Sequence, residues 1–134
     1  MNVQTTRNLI RSFFDHFAAE NVPGILKLLA EEVEWHFPGS PDIPFAGVYQ
    51  GPKRVSEFFR RMNDAVVIVE FALEDVIVQE DAAAATGMLQ GRARSTEDSF
   101  STPWAMVFNV SHGKIRKCQT FLDTAKVGLA FFEG

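Results

Sequence analysis

Val33-Glu34-Trp35-His36-Phe37-Pro38-Gly39, continuing through Pro44-Phe45-Ala46-Gly47-Val48-Tyr49-Gln50-Gly51 to Pro52, is the stretch on which the fold turns. It reads as a short strand, Val33 to Phe37, then a Pro/Gly-rich loop long enough to form a rim, then a helix opening at Pro52. That helix carries Val55, Phe58, Phe59 and Met62 on one side and Arg54, Arg60 and Arg61 on the other. An imidazole, an indole and a phenol therefore gather at one corner. Strict alternation puts Trp35 and Phe37 on one strand face and Glu34 and His36 on the other, so only one pair faces the interior. A bulge before Pro38 would exchange them.

Upstream, Leu9, Ile10, Phe13, Phe14 and Phe17 recur at spacings of three and four, which predicts an amphipathic helix over about Gln4 to Glu20. Asn21 followed by Val22-Pro23 caps a second, shorter helix whose apolar face is Ile25, Leu26 and Leu29. Downstream the character changes to β. Val66 to Leu73 and Val76 to Val78 are β-branched and aromatic, Glu80-Asp81 is a turn, and Ala82 to Arg94 continues as a strand. The alanines Ala82 to Ala85 favour helix by propensity alone, but they lie between turn signals and run into Thr86-Gly87-Met88-Leu89. Ser99 to Ser111 alternates as a long strand, Ser111-His112-Gly113 turns it into Lys114 to Leu122, and Asp123-Thr124-Ala125 opens a short terminal helix.

Helices early and strands late argue for an α+β fold with one mostly antiparallel sheet. Three helices covering one face of a curved sheet leave a cone, and a cone this rich in Phe is either filled or holds an apolar ligand. Apolar positions on the sheet's other face suggest a homodimer.

Composition agrees with a single domain over residues 1–134, 46% hydrophobic and with 13 Phe. A chain of this size buries roughly two thirds of the surface its unfolded form exposes. The formal charge is −4 and the basic residues are scattered, which argues against nucleic acid as a partner. The lone Cys118 rules out an internal disulfide and any multi-cysteine zinc site. Arg7, Arg11 and Asp15 interrupt the N-terminal apolar residues, and no run approaches the ~20 apolar residues of a membrane span. The expectation is a soluble cytoplasmic protein with no membrane partner.

Trp35-His36-Phe37-Pro38-Gly39, Ala46-Gly47-Val48-Tyr49-Gln50-Gly51 before an apolar helix, and Val107-Phe108-Asn109-Val110 leading through Gly113-Lys114-Ile115 to Thr120-Phe121-Leu122-Asp123 resemble one family. It is the SnoaL-like polyketide cyclases and ketosteroid isomerase-related proteins of the NTF2-like superfamily. The resemblance spans nearly the whole chain. It implies a cone-shaped α+β fold, usually dimeric, with an apolar pocket in which one or two polar groups perform acid/base chemistry without metal or organic cofactor. Members include isomerases, cyclases, epoxide hydrolases and proteins with no catalysis, so the fold does not decide function.

Carried over residue by residue, the resemblance loses its catalytic groups. Ketosteroid isomerase has an Asp just before the Pro that ends strand one, where Phe37 stands here. Its Tyr donor falls at or near Phe13 and its Asp donor at or near Ala105. The catalytic Asp of limonene epoxide hydrolase falls at Thr120, and Met88 and Leu89 stand where its Arg and Asp partners belong. Met106 replaces a His common in SnoaL-like sequences, whereas their late Asp corresponds to Asp123.

Three residues remain as catalytic candidates. His36 is an imidazole whose pKa apolar neighbours would lower. Asp123 is either a general acid/base at the open end of the cone or the N-cap of the last helix. Tyr49 either donates to a substrate carbonyl or packs the loop between two glycines. Phe13, Phe17, Trp35, Phe37, Phe59, Met88, Trp104, Met106 and Thr120 are the expected substrate-binding walls. Arg92 and Arg94 share one strand face and would bind a carboxylate if it turned inward, and the scattered His16, His36 and His112 offer no transition-metal site. Two functions stand: a cofactor-independent isomerase, cyclase or hydrolase acting on an apolar carbonyl or polycyclic compound, or a noncatalytic small-molecule binding domain. A purely structural dimerisation module is a third, and it requires a filled cone.

Overall fold

The computed structural model describes residues 2–133. Helix α1 (Val3–Ala18) begins where the Asn2 side chain accepts a hydrogen bond from the Thr5 backbone N–H at 2.8 Å. Its apolar stripe buries Leu9, Ile10, Phe13 and Phe14. Helix α2 (Val22–Leu26) is capped by Asn21, which accepts from the Gly24 N–H at 3.1 Å.

Leu29 was expected on the face of α2, but it opens strand β1 (Leu29–Phe37), opposite Ile115. A register shift between Leu29 and Glu34 breaks the alternation that marks a strand, so only Val33 to Phe37 announces itself. The rim loop also contains more structure than expected. Gly47–Gln50 forms strand β2, paired antiparallel with β1 so that Trp35 faces Tyr49 and Phe37 faces Gly47.

Helix α3 (Pro52–Ala65) leads into four long strands, β3 (Val66–Val78), β4 (Ala82–Ala93), β5 (Ser99–Ser111) and β6 (Lys114–Leu122), and then helix α4 (Thr124–Phe131). The sheet order is β2-β1-β6-β5-β4-β3, with β1 and β6 parallel and the other neighbours antiparallel. β3 runs unbroken from Val66 to Val78, because register shifts after Ile68 and Leu73 absorb the polar interruption Glu74-Asp75. The sheet stays open, with β2 and β3 at its edges.

The alanine run is strand. On the inner face of β4, Ala83, Ala85, Gly87, Gly91 and Ala93 present almost no side chain, and the β5 rings Phe100, Trp104 and Phe108 take the space. A Cβ added at Gly87 would lie 1.8 Å from the Ala72 carbonyl oxygen and 2.7 Å from Cζ2 of Trp104. One at Gly91 would lie 2.5 Å from Cζ of Phe100. Small residues on β4 thus let the sheet bend around large ones on β5. Among the described residues no helix is long and apolar enough to cross a membrane, and no cluster of His, Cys, Asp and Glu is arranged to hold a metal ion.

Candidate functional site

The concave sheet face and the apolar stripes of α1 and α3 enclose an aromatic interior. Strand alternation turns Trp35 and Phe37 of β1 inward, beside Thr120 and Leu122 of β6 and Trp104 and Met106 of β5. Phe13, Phe14 and Phe17 descend from α1, and Phe58, Phe59 and Met62 from α3. The rings pack edge to face and in stacks: Phe13 against Trp35 at 5.7 Å, Phe13 against Phe108 at 5.4 Å, and Phe71 parallel to Trp104 at 4.7 Å.

They leave a cavity of about 60 Å³. Pockets for small molecules commonly measure roughly 300–1,000 Å³, so the interior is mostly filled by its own side chains. Of the fifteen residues lining the cavity, Thr120 alone carries a hydroxyl and none carries a charge. A second space, a groove of about 790 Å³, lies between α2, the C-terminal halves of α1 and α3, and the start of β3. Phe17, Phe59, Met62, Ile68 and Phe71 line both spaces and form the partition between them. The groove's rim is polar, with Glu20, Arg60, Asn63 and Arg94. The Arg94 Nε donates to the Asn63 carbonyl at 2.9 Å, which holds its guanidinium against the end of α3.

The expected catalytic side chains are not brought together, and none of them lines either space. His36 stands on the outer sheet face, since no bulge intervenes to reverse the alternation. Its Nε2 lies 3.2 Å from Oε2 of Glu34, on a strand position flanked by Val48 and Gln119. Asp123 is exposed and caps α4, its Oδ1 accepting from the Lys126 N–H at 3.1 Å. Tyr49 is buried, but its hydroxyl donates to the Phe45 carbonyl at 3.0 Å and its ring meets Phe58 edge-on at 5.3 Å.

Of the expected walls, Phe13, Phe17, Trp35, Phe37, Phe59, Trp104, Met106 and Thr120 all line the cavity. Met88 does not. It is exposed on the outer face of β4, because Leu89 holds the inward position opposite Phe71. Arg92 is likewise exposed and faces outward, paired with Val67. Phe14, Phe58, Met62, Ile68, Phe71, Leu89 and Leu122 complete the wall beyond the expected set, and the helical spacing of Phe14, Phe58 and Met62 marks those three as inward. Cys118 is wholly buried beside Trp35 and Phe108, and burial pushes its thiol pKa well above the ordinary value.

Comparison with known proteins places this geometry. No curated protein matches the chain by sequence. Among solved structures, an NTF2-like protein of Burkholderia xenovorans LB400 superposes with a TM-score of 0.90 at 23% identity, covering 98% of this chain and 99% of that one. A candidate isomerase of Rhodopseudomonas palustris superposes with a TM-score of 0.74 at 23% identity, covering 91% of each chain. A candidate polyketide cyclase of Xanthomonas campestris pv. campestris gives 0.78 at 18% identity, covering 98% of this chain and 100% of that one. Identities this low establish the common fold alone. The SnoaL-like domain profile matches residues 10–118, from within α1 through β1 to β5 and into β6 as far as Cys118, and the chain therefore belongs to the SnoaL-like family.

Proposed function

We propose that the chain is a small-molecule binding domain that holds an apolar compound between α1, α3 and the inner sheet face, without proton transfer by His36, Asp123 or Tyr49. One observation carries this reading: a wall of apolar side chains that no titratable group reaches. Acid/base catalysis requires the reacting proton to lie within hydrogen-bond reach of its carrier. The solved relatives named as a candidate isomerase and a candidate cyclase suggest an enzyme, but that reading leaves this cavity without a carrier.

The ligand enters from the groove. Phe17, Phe59 and Met62 move aside, and the thioether of Met62 is the most adaptable part of that partition. Native mass spectrometry of the protein as purified, together with titration by indane followed through tryptophan emission, tests this. A retained small-molecule mass or saturable binding of indane supports the reading. Absence of both overturns it and leaves the filled cone as a purely structural core.

The partner on the other side of the sheet is a second copy of the chain. Val48, His36, Gln119, Val107, Ala84 and Ile77 form one row in register across all six strands of the outer face. Val48, Ile77, Met88 and Phe121 are exposed there. Glu34 lies opposite Lys117 on the neighbouring rung, so the face presents charges of both signs beside its apolar positions, as a self-complementary surface requires.

A further inference from the structure

The groove beside α2 carries charges that the cone lacks. Its floor is apolar, built from Val22 and Ile25 of α2, Val66 and Ile68 of β3, and Phe17 and Phe71, and Ile68 is left 38% exposed. Three charged residues line it: Glu20 past the end of α1, Arg60 on α3, and Arg94 just beyond β4. Two cations and one anion therefore border an open space of about 790 Å³, a volume that suits a small molecule.

Neither cation is neutralised by the chain. Of the arginines on α3, Arg54 pairs with Glu57 at 3.6 Å and Arg61 lies over the Tyr49 ring at 5.8 Å, whereas Arg60 has no ion pair or ring contact among the described residues. Arg94 is anchored twice at the end of α3: its backbone N–H donates to the Ala65 carbonyl and its Nε–H to the Asn63 carbonyl, each at 2.9 Å. That fixes the guanidinium while engaging a single N–H of its fork. The Nη groups find no acceptor among the described residues, and capping the last carbonyls of α3 accounts for the Nε bond alone. Asn63 stands one turn after Arg60 on α3, so Arg94 brings its fork to the same end of the groove.

Their chemistry selects the ligand. A guanidinium fork matches the two oxygens of a carboxylate. An uncharged apolar compound would cover two cations and leave them unpaired. A cationic one would meet two charges of its own sign, and a dianion would meet Glu20. We infer that this groove is a second binding site, separate from the cone, for an apolar monocarboxylate whose oxygens accept hydrogen bonds from Arg60 and Arg94 while its hydrocarbon lies along Val22, Ile25 and Ile68. The groove is open as it stands, so this site does not depend on the cone's admitting a ligand.

A matched pair of probes tests it: 4-phenylbutyrate and 4-phenyl-1-butanol, alike except at the head group, titrated into the full chain by calorimetry and, with 15N label, by NMR. The acid is expected to bind about ten-fold or more tightly than the alcohol, and added NaCl to narrow that difference. The amide resonances of Glu20, Val22, Asn63 and Val67 move with the acid, while the indole resonances of Trp35 and Trp104, which line the cone, stay in place. Arg60→Gln lowers affinity for the acid about five-fold, toward that of the alcohol, and Arg94→Gln does the same. Arg60 is exposed and bonded to nothing in the chain, so its replacement tests the site even where Arg94→Gln loosens the end of α3. No binding of the acid, equal binding of acid and alcohol, or an acid preference that survives Arg60→Gln overturns the carboxylate site. Movement of the indole resonances with the groove amides unmoved puts the acid in the cone and overturns it as well. Indane titration reports the cone independently, so failure of this site and failure of the binding function proposed above are told apart.

Discussion

Asp123 illustrates how one carboxylate is readable in two ways from sequence and in one way from its contacts. It precedes a helix, and its Oδ1 accepts from the Lys126 N–H while its own N–H donates to Thr102 at 3.0 Å. Asp123→Ala is therefore expected to lower stability by about 1 kcal/mol, the usual loss of an N-cap. Urea unfolding measures that change, and binding of indane is expected to stay the same; a selective loss of binding would return Asp123 to the site. Cys118 supplies a pH prediction. Its folded pKa is raised by burial, so the thiol stabilises the fold fully below its unfolded pKa. That contribution is lost as pH rises from the unfolded value of about 8.5 toward the raised folded one. Between pH 8 and pH 10 the wild type is expected to lose more stability than Cys118→Ala, and equal slopes in urea titrations at the two pH values would contradict this. At this scale the sequence showed which residues carry chemistry, but not where they point. The alternation at Glu34 to Phe37 defined two pairs of side chains; only the packing of α1 and α3 on one sheet face decided that Trp35 and Phe37 go inward.

Strand β4 is the element whose sequence looks least like its structure. Ala82 to Ala85 has helical propensity, yet the run lies between two long partners and pairs with both, so tertiary pairing overrides local preference. The small side chains that made the assignment ambiguous are the ones the bend requires. Gly87→Ala is expected to destabilise by more than the roughly 1–3 kcal/mol of ordinary overpacking, because the added carbon meets a backbone oxygen that no rotamer change can move. Thermal unfolding checks it, and a shift in Tm within error of zero would mean that β3 can retreat from Gly87. The long, strongly periodic elements, α1, α3 and β5, were legible from the sequence. Strand β2 and the start of β1 were not, since four residues beginning with a glycine, and a stretch interrupted by a register shift, carry too little alternation.

For the whole molecule, the fold class was legible because helical periods precede β periods along the entire chain, and the open six-stranded sheet follows that order. The cavity's size was not, because it is the small remainder after fifteen lining residues have packed, and no local pattern encodes that difference. The outer sheet face bears on assembly. Sedimentation at micromolar concentration is expected to give the mass of a dimer, and Val107→Glu, at the middle of the row from Val48 to Ile77, is expected to give the monomer mass with the fold retained. A monomeric wild type would reject the pairing. The parallel contact between β1 and β6 has a further consequence, for the birth of the protein. Leu29 to Phe37 leave the ribosome well before their parallel sheet partner, Lys114 to Leu122, with α3 and three long strands made in between. Until β6 emerges, the helices and β1 have no central strand to close on, and β5 has an open edge. The nascent chain therefore keeps the aromatic faces of its helices uncovered until β6 has been made, and a chaperone has its substrate in that interval.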